Sequence, residues 1–420
     1  MHVWLVKLED PLPADEGFRA YRMHMLAEAL VKRGHKVTRW CSDFDHQNLE
    51  NRFGGDAAID IAENYHVRLL HSPVVYTKRV SLARLINNWI LASKFRRVAA
   101  KTQERPDIIV CSMPTPALAA ASVKVARQFN VPAVVDARDL WPDIISDELS
   151  LGKRLLAAPV LSMMKREITY AASNATGLVG ITSHYRDHLL KYASRSKGPE
   201  DSYFYIGYEQ PPCSEGATGT DTIKAFLSES FQYIFYFAGR MNSTVANAID
   251  PVISAARQLQ SVAPDVAFVM CGDGDQLESL KSRTTDLSNI VWPGKLSQPA
   301  LAQLKSRATA GLLPIERRRD YQISLSNKIF EYMNAGLPIL SFLDGVPADV
   351  IREHNCGMLY DDGDELVRCV MRLKDDTVLR ESMCEASRSV FASTFTANAV
   401  YGSFSDYLER LSSNYLRKYN

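Results

Sequence analysis

Short continuous apolar runs alternate with segments of helical periodicity along nearly the whole chain. The first half reads "HVWLVKL", a helix over residues 18 to 33, "HKVTRWCS", "HVRLLHS", a helix over 81 to 103, "DIIVCS", a helix from 116, "AVVDARD" and "ATGLVGIT". Apolar runs that do not alternate with polar residues belong to strands buried on both faces, so this half predicts a parallel sheet covered by helices. Residues 194 to 230 break the rhythm with Gly, Pro and Ser, which places a linker near Gly207. The alternation then restarts with "YIFYFAGR", "VAFVMCG", "NIVWPG", "AGLLPI", "LPILSFL" and "CGMLY", separated by helices from 246, 275, 297 and 346, and ends in helical patterns from 363 to 420. The expected fold is α/β: two tandem Rossmann-like, doubly wound parallel-sheet domains facing a central cleft. A ligand is expected at that cleft, since open α/β sheets bind beyond the carboxyl ends of their strands.

Length agrees with the pattern, because 420 residues exceed what one ordinary core holds. Composition is that of a soluble protein, 46% apolar and 23% charged. With 49 basic and 48 acidic residues the net charge of +1 gives no global field for nucleic acid, and no nucleic-acid partner is expected. Seven widely spaced cysteines, without CxxC and mostly inside apolar runs, read as reduced thiols of a cytoplasmic protein. The opening "MHVWLVKLEDPLP" has no signal-peptide pattern, and no apolar run reaches the roughly 18 residues of a membrane span.

Motifs narrow the chemistry. The turn after the first strand, "EDPLPADEGF", has one glycine rather than GxGxxG, and no GxxxxGK[ST] occurs, which argues against a dinucleotide and excludes a P-loop. His184 and His188 share a helix face but have no further ligands nearby, so they read as solvated surface histidines and no metal is expected. Four successive strand ends in the second half carry a different signal. "FAGR" delivers Gly239 and Arg240, whose guanidinium can grip phosphate oxygens. "CGDGD" supplies Gly272, Asp273 and Gly274 as flexible, amide-rich backbone; "WPGKL" supplies Gly294, Lys295 and Leu296. The fourth is the start of "SLSNKIFEYMNAGLPIL", where Ser324 or Ser326 can cap a helix whose inward face is Ile329, Phe330 and Met333 and whose end suits Gly336. Lys328 stands in its first turn, where a cation opposes the helix dipole unless an anion joins it. The plainer alternative is an exposed i,i+3 ion pair between Lys328 and Glu331.

These stretches, with "EGFRAYRMHMLAEALVKRGHKVT", "DARDLWPDII" and "CGMLYDDGDEL", resemble in order and spacing a family 4 retaining glycosyltransferase of the GT-B fold. The group resembled is the bacterial one that builds capsule and O-antigen and is similar to N-acetylfucosaminyl transferases. The resemblance implies an acceptor-binding domain over 1–206, a nucleotide-sugar-binding domain over 207–395, and a helix over 396–420 returning to the first domain. It implies that Gly17 lies beneath the donor diphosphate, that Arg240 binds that diphosphate, and that Glu331 holds the ribose hydroxyls. It also implies that Ser324, Leu325, Ser326 and Asn327 form the loop whose amides cradle the phosphates, with Lys328 beside them. Arg138 and Asp139 occupy the stretch where many relatives carry an active-site His. Two departures stand out: Ile323 replaces the family's first glutamate, and the usual Lys after the "GR" motif is missing, so Lys328 is the candidate replacement.

The function expected is transfer of a hexose or N-acetylhexosamine from a nucleotide sugar, a UDP donor above all, to a lipid-linked or glycan hydroxyl in bacterial surface polysaccharide synthesis. Arg240, Lys328, Glu331, Arg138 and Asp139 are the candidate catalytic residues, and no cofactor or metal is expected. The alternatives are a UDP-sugar epimerase of the same fold and an inactive sugar-nucleotide-binding relative. Residues 76 to 105 carry eight basic residues and one acidic. There Leu82, Leu85, Ile86 and Trp89 form a stripe flanked by Arg96 and Arg97, with Arg84, Lys94 and Lys101 spread around the wheel, which suggests peripheral docking at the inner face of the plasma membrane. The plainer alternative is a solvated helix whose stripe packs on the first domain.

Overall fold

The computed structural model describes residues 1–15, 18–78, 81–209 and 231–419. The chain divides into two compact units, Met1–Gly207 with Ala397–Asn420, and Tyr208–Thr396.

The first unit is built on eight strands: β1 (His2–Val6), β2 (Lys36–Ser42), β5 (Ala57–Ala62), β6 (Tyr65–Leu70), β7 (Ile108–Ser112), β8 (Ala133–Ala137), β9 (Gly177–Gly180) and β10 (Ser202–Tyr203). Phe44–Asp45 and Glu50–Asn51, β3 and β4, form a separate small hairpin. The sheet order is β10-β9-β8-β7-β1-β2-β6-β5, parallel throughout except that β5 runs antiparallel to β6. Every residue of β7 and β8 is buried, whereas β5 alternates between half-buried and exposed, as an edge strand does. That alternation of Ala, Ile and Asp in "AAIDIA" is why β5 escapes a reading tuned to apolar runs. The helix Leu151–Asn174 escapes it too, because Leu151, Leu155 and Leu156 are exposed and Pro159 lies inside it.

The second unit is a six-stranded parallel sheet: β11 (Tyr233–Ala238), β12 (Val266–Cys271), β13 (Ile290–Gly294), β14 (Ala310–Leu313), β15 (Ile339–Ser341) and β16 (Gly357–Leu359), in the order β13-β12-β11-β14-β15-β16. The order reverses direction beside β11, which makes the ends of β11 and β14 the switch point of this sheet. Beyond it the chain runs through Gly363–Asp375 and Thr377–Val390, and a five-residue π-helical turn, Phe391–Phe395, separates these from the last helix, Ala397–Tyr419. That helix belongs to the first unit. Its Val400, Tyr401, Phe404, Tyr407, Leu408 and Leu411 join the core with Met23, Leu26 and Leu30, and Phe404 stacks on Phe204 at 4.5 Å between centroids. Burying six large apolar side chains along one face stabilises the docking by several kcal/mol, on the order of 1.5–3 kcal/mol per side chain before entropy.

The basic helix begins at Leu82, where the Ser81 hydroxyl accepts from the Arg84 amide at 3.2 Å, and ends at Ala99. Its inward face is Asn87, Asn88, Leu91, Ala92, Phe95 and Ala99. The Leu82 to Trp89 stripe therefore does not pack as the core face: Leu82 and Ile86 are exposed, and Leu85 and Trp89 are half-buried. Among the described residues no helix is long and apolar enough to cross a membrane.

Candidate functional site

The ends of β11, β12 and β13 are laced together by their own main chain. The Gly239 amide donates to Cys271 O at 2.9 Å, Met241 N to Asp273 O at 2.8 Å, and Gly272 N to Gly294 O at 2.8 Å. This close approach explains the glycines. Gly272 sits at φ +139° with space for no side chain, because a Cβ there would lie 1.7 Å from Gly239 O; one on Gly274 would meet Met241 O at 2.2 Å. The sequence suggested flexible loops offering amides; instead the Gly239 and Gly272 amides are spent on holding neighbouring loops together.

Over this platform opens a cavity of about 640 Å³, lined by Gly239, Arg240, Gly272, Asp273, Gly274, Lys295, Leu296 and Lys328 together with Ala238, Cys271 and Leu301. Arg240, Asp273 and Lys295 are exposed. The Cys271 thiol at its floor is buried, which pushes its pKa up to about 12 and keeps it neutral. Eight of the residues singled out in the sequence thus meet at one cavity, and three of them are cations. Gly294 is held behind it through its carbonyl, in a backbone with φ +74°.

The fourth strand end behaves differently from expectation. Ser326 is the N-cap of the helix Asn327–Asn334, accepting from Lys328 N at 3.2 Å through its hydroxyl, and Gly336 at φ +66° follows the C-cap. Ser324 instead donates its hydroxyl to Asp320 O at 2.6 Å, Leu325 is buried, and Asn327 is exposed. Ser324 to Asn327 and Glu331 lie outside the cavity lining. Lys328 Nζ donates to both oxygens of Glu331, at 3.0 and 2.9 Å, so the i,i+3 pair that was the plainer alternative is formed. Glu331 is not the exposed carboxylate expected: its side chain is 13% exposed, and Lys305 Nζ stands 3.9 Å from the same carboxylate. Lys305 comes from the helix Gln298–Arg307 and carries no motif, so only tertiary packing brings it here.

In the first unit, Arg138 and Asp139 follow β8, and both are half-buried. Asp139 Oδ1 accepts from Leu140 N at 2.7 Å, while Arg138 keeps Nε and Nη1 buried with no hydrogen-bond partner among the described residues. Gly17 lies outside the described residues. Of the basic helix, two members are committed elsewhere: Arg84 grips Glu9 through Nε at 2.6 Å, and Lys94 pairs with Asp56 and donates to His71 O at 2.9 Å. Burial alone would raise the Glu9 pKa, but Arg84 holds its carboxyl below the ordinary range. Trp89, Arg96, Arg97 and Lys101 line a broad surface depression with Lys124. His188 is not a solvated surface histidine: it is buried, 3.7 Å from Asp143, whereas His184 is exposed. Among the described residues no group of three or more His, Cys, Asp or Glu side chains could hold a metal ion.

Comparison with known proteins adds the family. Residues 232–376 match "Glycosyl transferases group 1", and residues 20–197 match "Glycosyl transferase 4-like domain". A 2-deoxystreptamine N-acetyl-D-glucosaminyltransferase of Niallia circulans is 26% identical over 157 residues, which span 36% of this chain and 39% of that protein. Sucrose-phosphate synthase of Thermosynechococcus elongatus superposes with a TM-score of 0.68 at 15% identity, over 98% of this chain and 99% of that one. Anabaena HepE, solved in complex with UDP, superposes with a TM-score of 0.61 at 14% identity, over 97% of this chain and 99% of that one. The chain therefore carries a glycosyl transferase 4-like domain followed by a glycosyl transferases group 1 domain, on the two-sheet GT-B fold.

Proposed function

We propose that this protein is a retaining glycosyltransferase that moves a hexose, in particular an N-acetylated one, from a UDP sugar to a lipid-linked or glycan hydroxyl. The observation that carries the reading is the cavity at the switch point of the second sheet, where Arg240, Lys295 and Lys328 converge beside a glycine-rich wall whose one acidic residue is Asp273. The UDP held by Anabaena HepE and the N-acetylglucosaminyl group named in the Niallia relative support the choice of donor. As the anomeric carbon–oxygen bond breaks, positive charge grows on the sugar and negative charge on the leaving diphosphate. Arg240 and Lys328 take that negative charge. Lys328 does so by leaving Glu331, whose carboxylate then accepts from the ribose hydroxyls while Lys305 keeps it compensated. The acceptor oxygen bonds to the anomeric carbon on the face the diphosphate leaves, and its proton passes to a diphosphate oxygen. Side-chain cations suffice for this neutralisation, so the transfer runs without a divalent metal.

The setting we propose is bacterial surface polysaccharide assembly, capsule or O-antigen, at the inner face of the plasma membrane. With Arg84 and Lys94 committed to carboxylates, docking falls to exposed Arg96, Arg97 and Lys101, with Leu82 and Ile86 as apolar ground. Purified protein incubated with a panel of UDP and GDP sugars and a membrane lipid extract should release UDP only when acceptor is present. Sugar isomerisation without acceptor would replace the reading with an epimerase; nucleotide binding without turnover would leave an inactive binding protein.

A further inference from the structure

At the carboxyl edge of the first sheet, charge is buried in pairs, and two cations are left over among the described residues. Asp136 gives both oxygens to Arg22, at 2.9 and 3.0 Å; Asp10 gives Oδ2 to Arg39; Glu9 is held by Arg84. Lys7, the first residue after β1, has a side chain only 12% exposed. Among the described residues its nearest carboxylate oxygen is Asp10 Oδ1 at 3.8 Å, longer than a hydrogen bond; that oxygen is itself buried without a hydrogen-bond partner, while Oδ2 binds Arg39. Arg138, the first residue after β8, keeps two guanidinium N–H donors buried and unmatched among the described residues. β7 alone separates these two strands in the sheet.

We propose that Lys7 and Arg138 form a binding site for an oxyanion, a phosphoryl or carboxylate group carried by the acceptor. Naming the acceptor rests on the glycosyl-transfer reading; the site itself does not. A buried donor without a partner and a buried cation sharing its carboxylate both destabilise the free protein, and one bound oxyanion satisfies both. Tetrahedral or planar oxyanions offer the several acceptor positions that a guanidinium edge and an ammonium need together.

The same arrangement makes binding depend on pH. Burial pushes the Lys7 pKa down to about 8, and the charge of Arg138 pushes the same way, against Asp10, Glu9 and Asp136. From the neighbouring strands the Cys41 and Cys111 thiols also face it, but burial raises these to about 11 and 12, so they stay neutral. Lys7 is thus the group of this set that changes charge between pH 7 and 9, and a bound oxyanion must keep it protonated.

The test uses sulfate, whose charge is constant over this range, against chloride at fixed ionic strength, reading the melting temperature of the full chain. Sulfate should stabilise the wild type and Arg240→Ala alike, with an apparent affinity about tenfold weaker in Lys7→Met and in Arg138→Met. The wild-type affinity should fall from pH 7 to pH 9, and that fall should vanish in Lys7→Met. Without sulfate, Lys7→Met should melt no lower than wild type. Undiminished sulfate stabilisation in Lys7→Met, or a marked loss of its stability in chloride, overturns the proposal and makes Lys7 structural. Saturating UDP should leave the Lys7-dependent effect in place; if UDP abolishes it, the oxyanion belongs to the donor and the acceptor assignment fails. UDP release is scored separately, so a protein that binds sulfate through Lys7 yet transfers nothing keeps the site and loses the transfer reading.

Discussion

The carboxyl edges of the two sheets solve the same problem in opposite ways. Both are ends of parallel strands covered by helices, and both gather charge. In the first sheet the charge is turned inward: Arg22 and Asp136 are entirely buried and bidentate, with Arg22 also donating to Phe204 O and Tyr205 O, and Arg39 binds Asp10 and the Tyr65 hydroxyl. In the second, glycine loops knit the platform through main-chain bonds, and Arg240 and Lys295 remain exposed around a cavity. Buried pairs add little net stability but are expensive to break, because the survivor is left as an unpaired charge; exposed cations hold nothing together and are available to a ligand. One edge is therefore sensitive in folding and the other in binding.

That contrast breaks most visibly at Asp136. Asp136→Ala strands Arg22 and should lower unfolding free energy by about 3–5 kcal/mol, read by urea titration. A loss below about 1 kcal/mol would mean the first edge is not held by its ion pairs. At the other edge, Arg240→Ala and Lys328→Ala should each weaken nucleotide binding by about 1.5–3 kcal/mol while leaving the unfolding free energy within about 0.5 kcal/mol. The double variant should fall short of the sum if both cations meet one diphosphate. Calorimetric titration with UDP decides this, and Glu331→Ala belongs in the same series, since it should also weaken UDP without unfolding the protein.

Lys7 sharpens the comparison because it is the misfit of the inward edge. Its folded pKa of about 8 lies below the ordinary 10.5, so between those values the unfolded chain binds more protons. Wild-type stability should rise relative to Lys7→Met from pH 8 to 10.5, by on the order of 2 kcal/mol, and the difference should be flat below pH 7. Taking the difference removes the opposing contribution of the buried thiols, which weakens the fold as pH rises past 9. Smaller still, Arg96→Ala should reduce flotation with anionic liposomes by about 1 kcal/mol of partitioning and leave neutral vesicles unaffected. The smallest expected effect is none: excess EDTA should not change turnover, and loss restored by magnesium would end the cation-only account.

Much of the second edge was legible because its parts are local. A strand end followed by Gly-Arg, Gly-Asp-Gly or Gly-Lys is a contiguous signal, and parallel strands put successive ends side by side whatever lies between. Legibility failed where partners come from elsewhere in the chain. The Lys328–Glu331 pair, three positions apart, was one of two readings open at that helix start, whereas Lys305, which stands over the same carboxylate, comes from another helix and carried no signal. Arg84 and Lys94 looked like free cations of a basic segment, but Glu9 and Asp56 lie 75 and 38 positions away in sequence and claim them. Exposed apolar residues misled in the other direction, hiding the helix Leu151–Asn174.

Apart from the antiparallel edge strand β5 and the helix Leu151–Asn174, the amino-acid order by itself determined the strand and helix alternation, the parallel character of both sheets and the positions of the glycine-rich strand ends, since these follow from periodicity and backbone sterics within a few residues. Only the tertiary structure decided which charges are free. Whether a lysine or arginine meets a carboxylate depends on side chains brought together across tens of residues, and on burial that makes a donor at Arg138 unmatched among the described residues, or a crowded ammonium at Lys7, consequential.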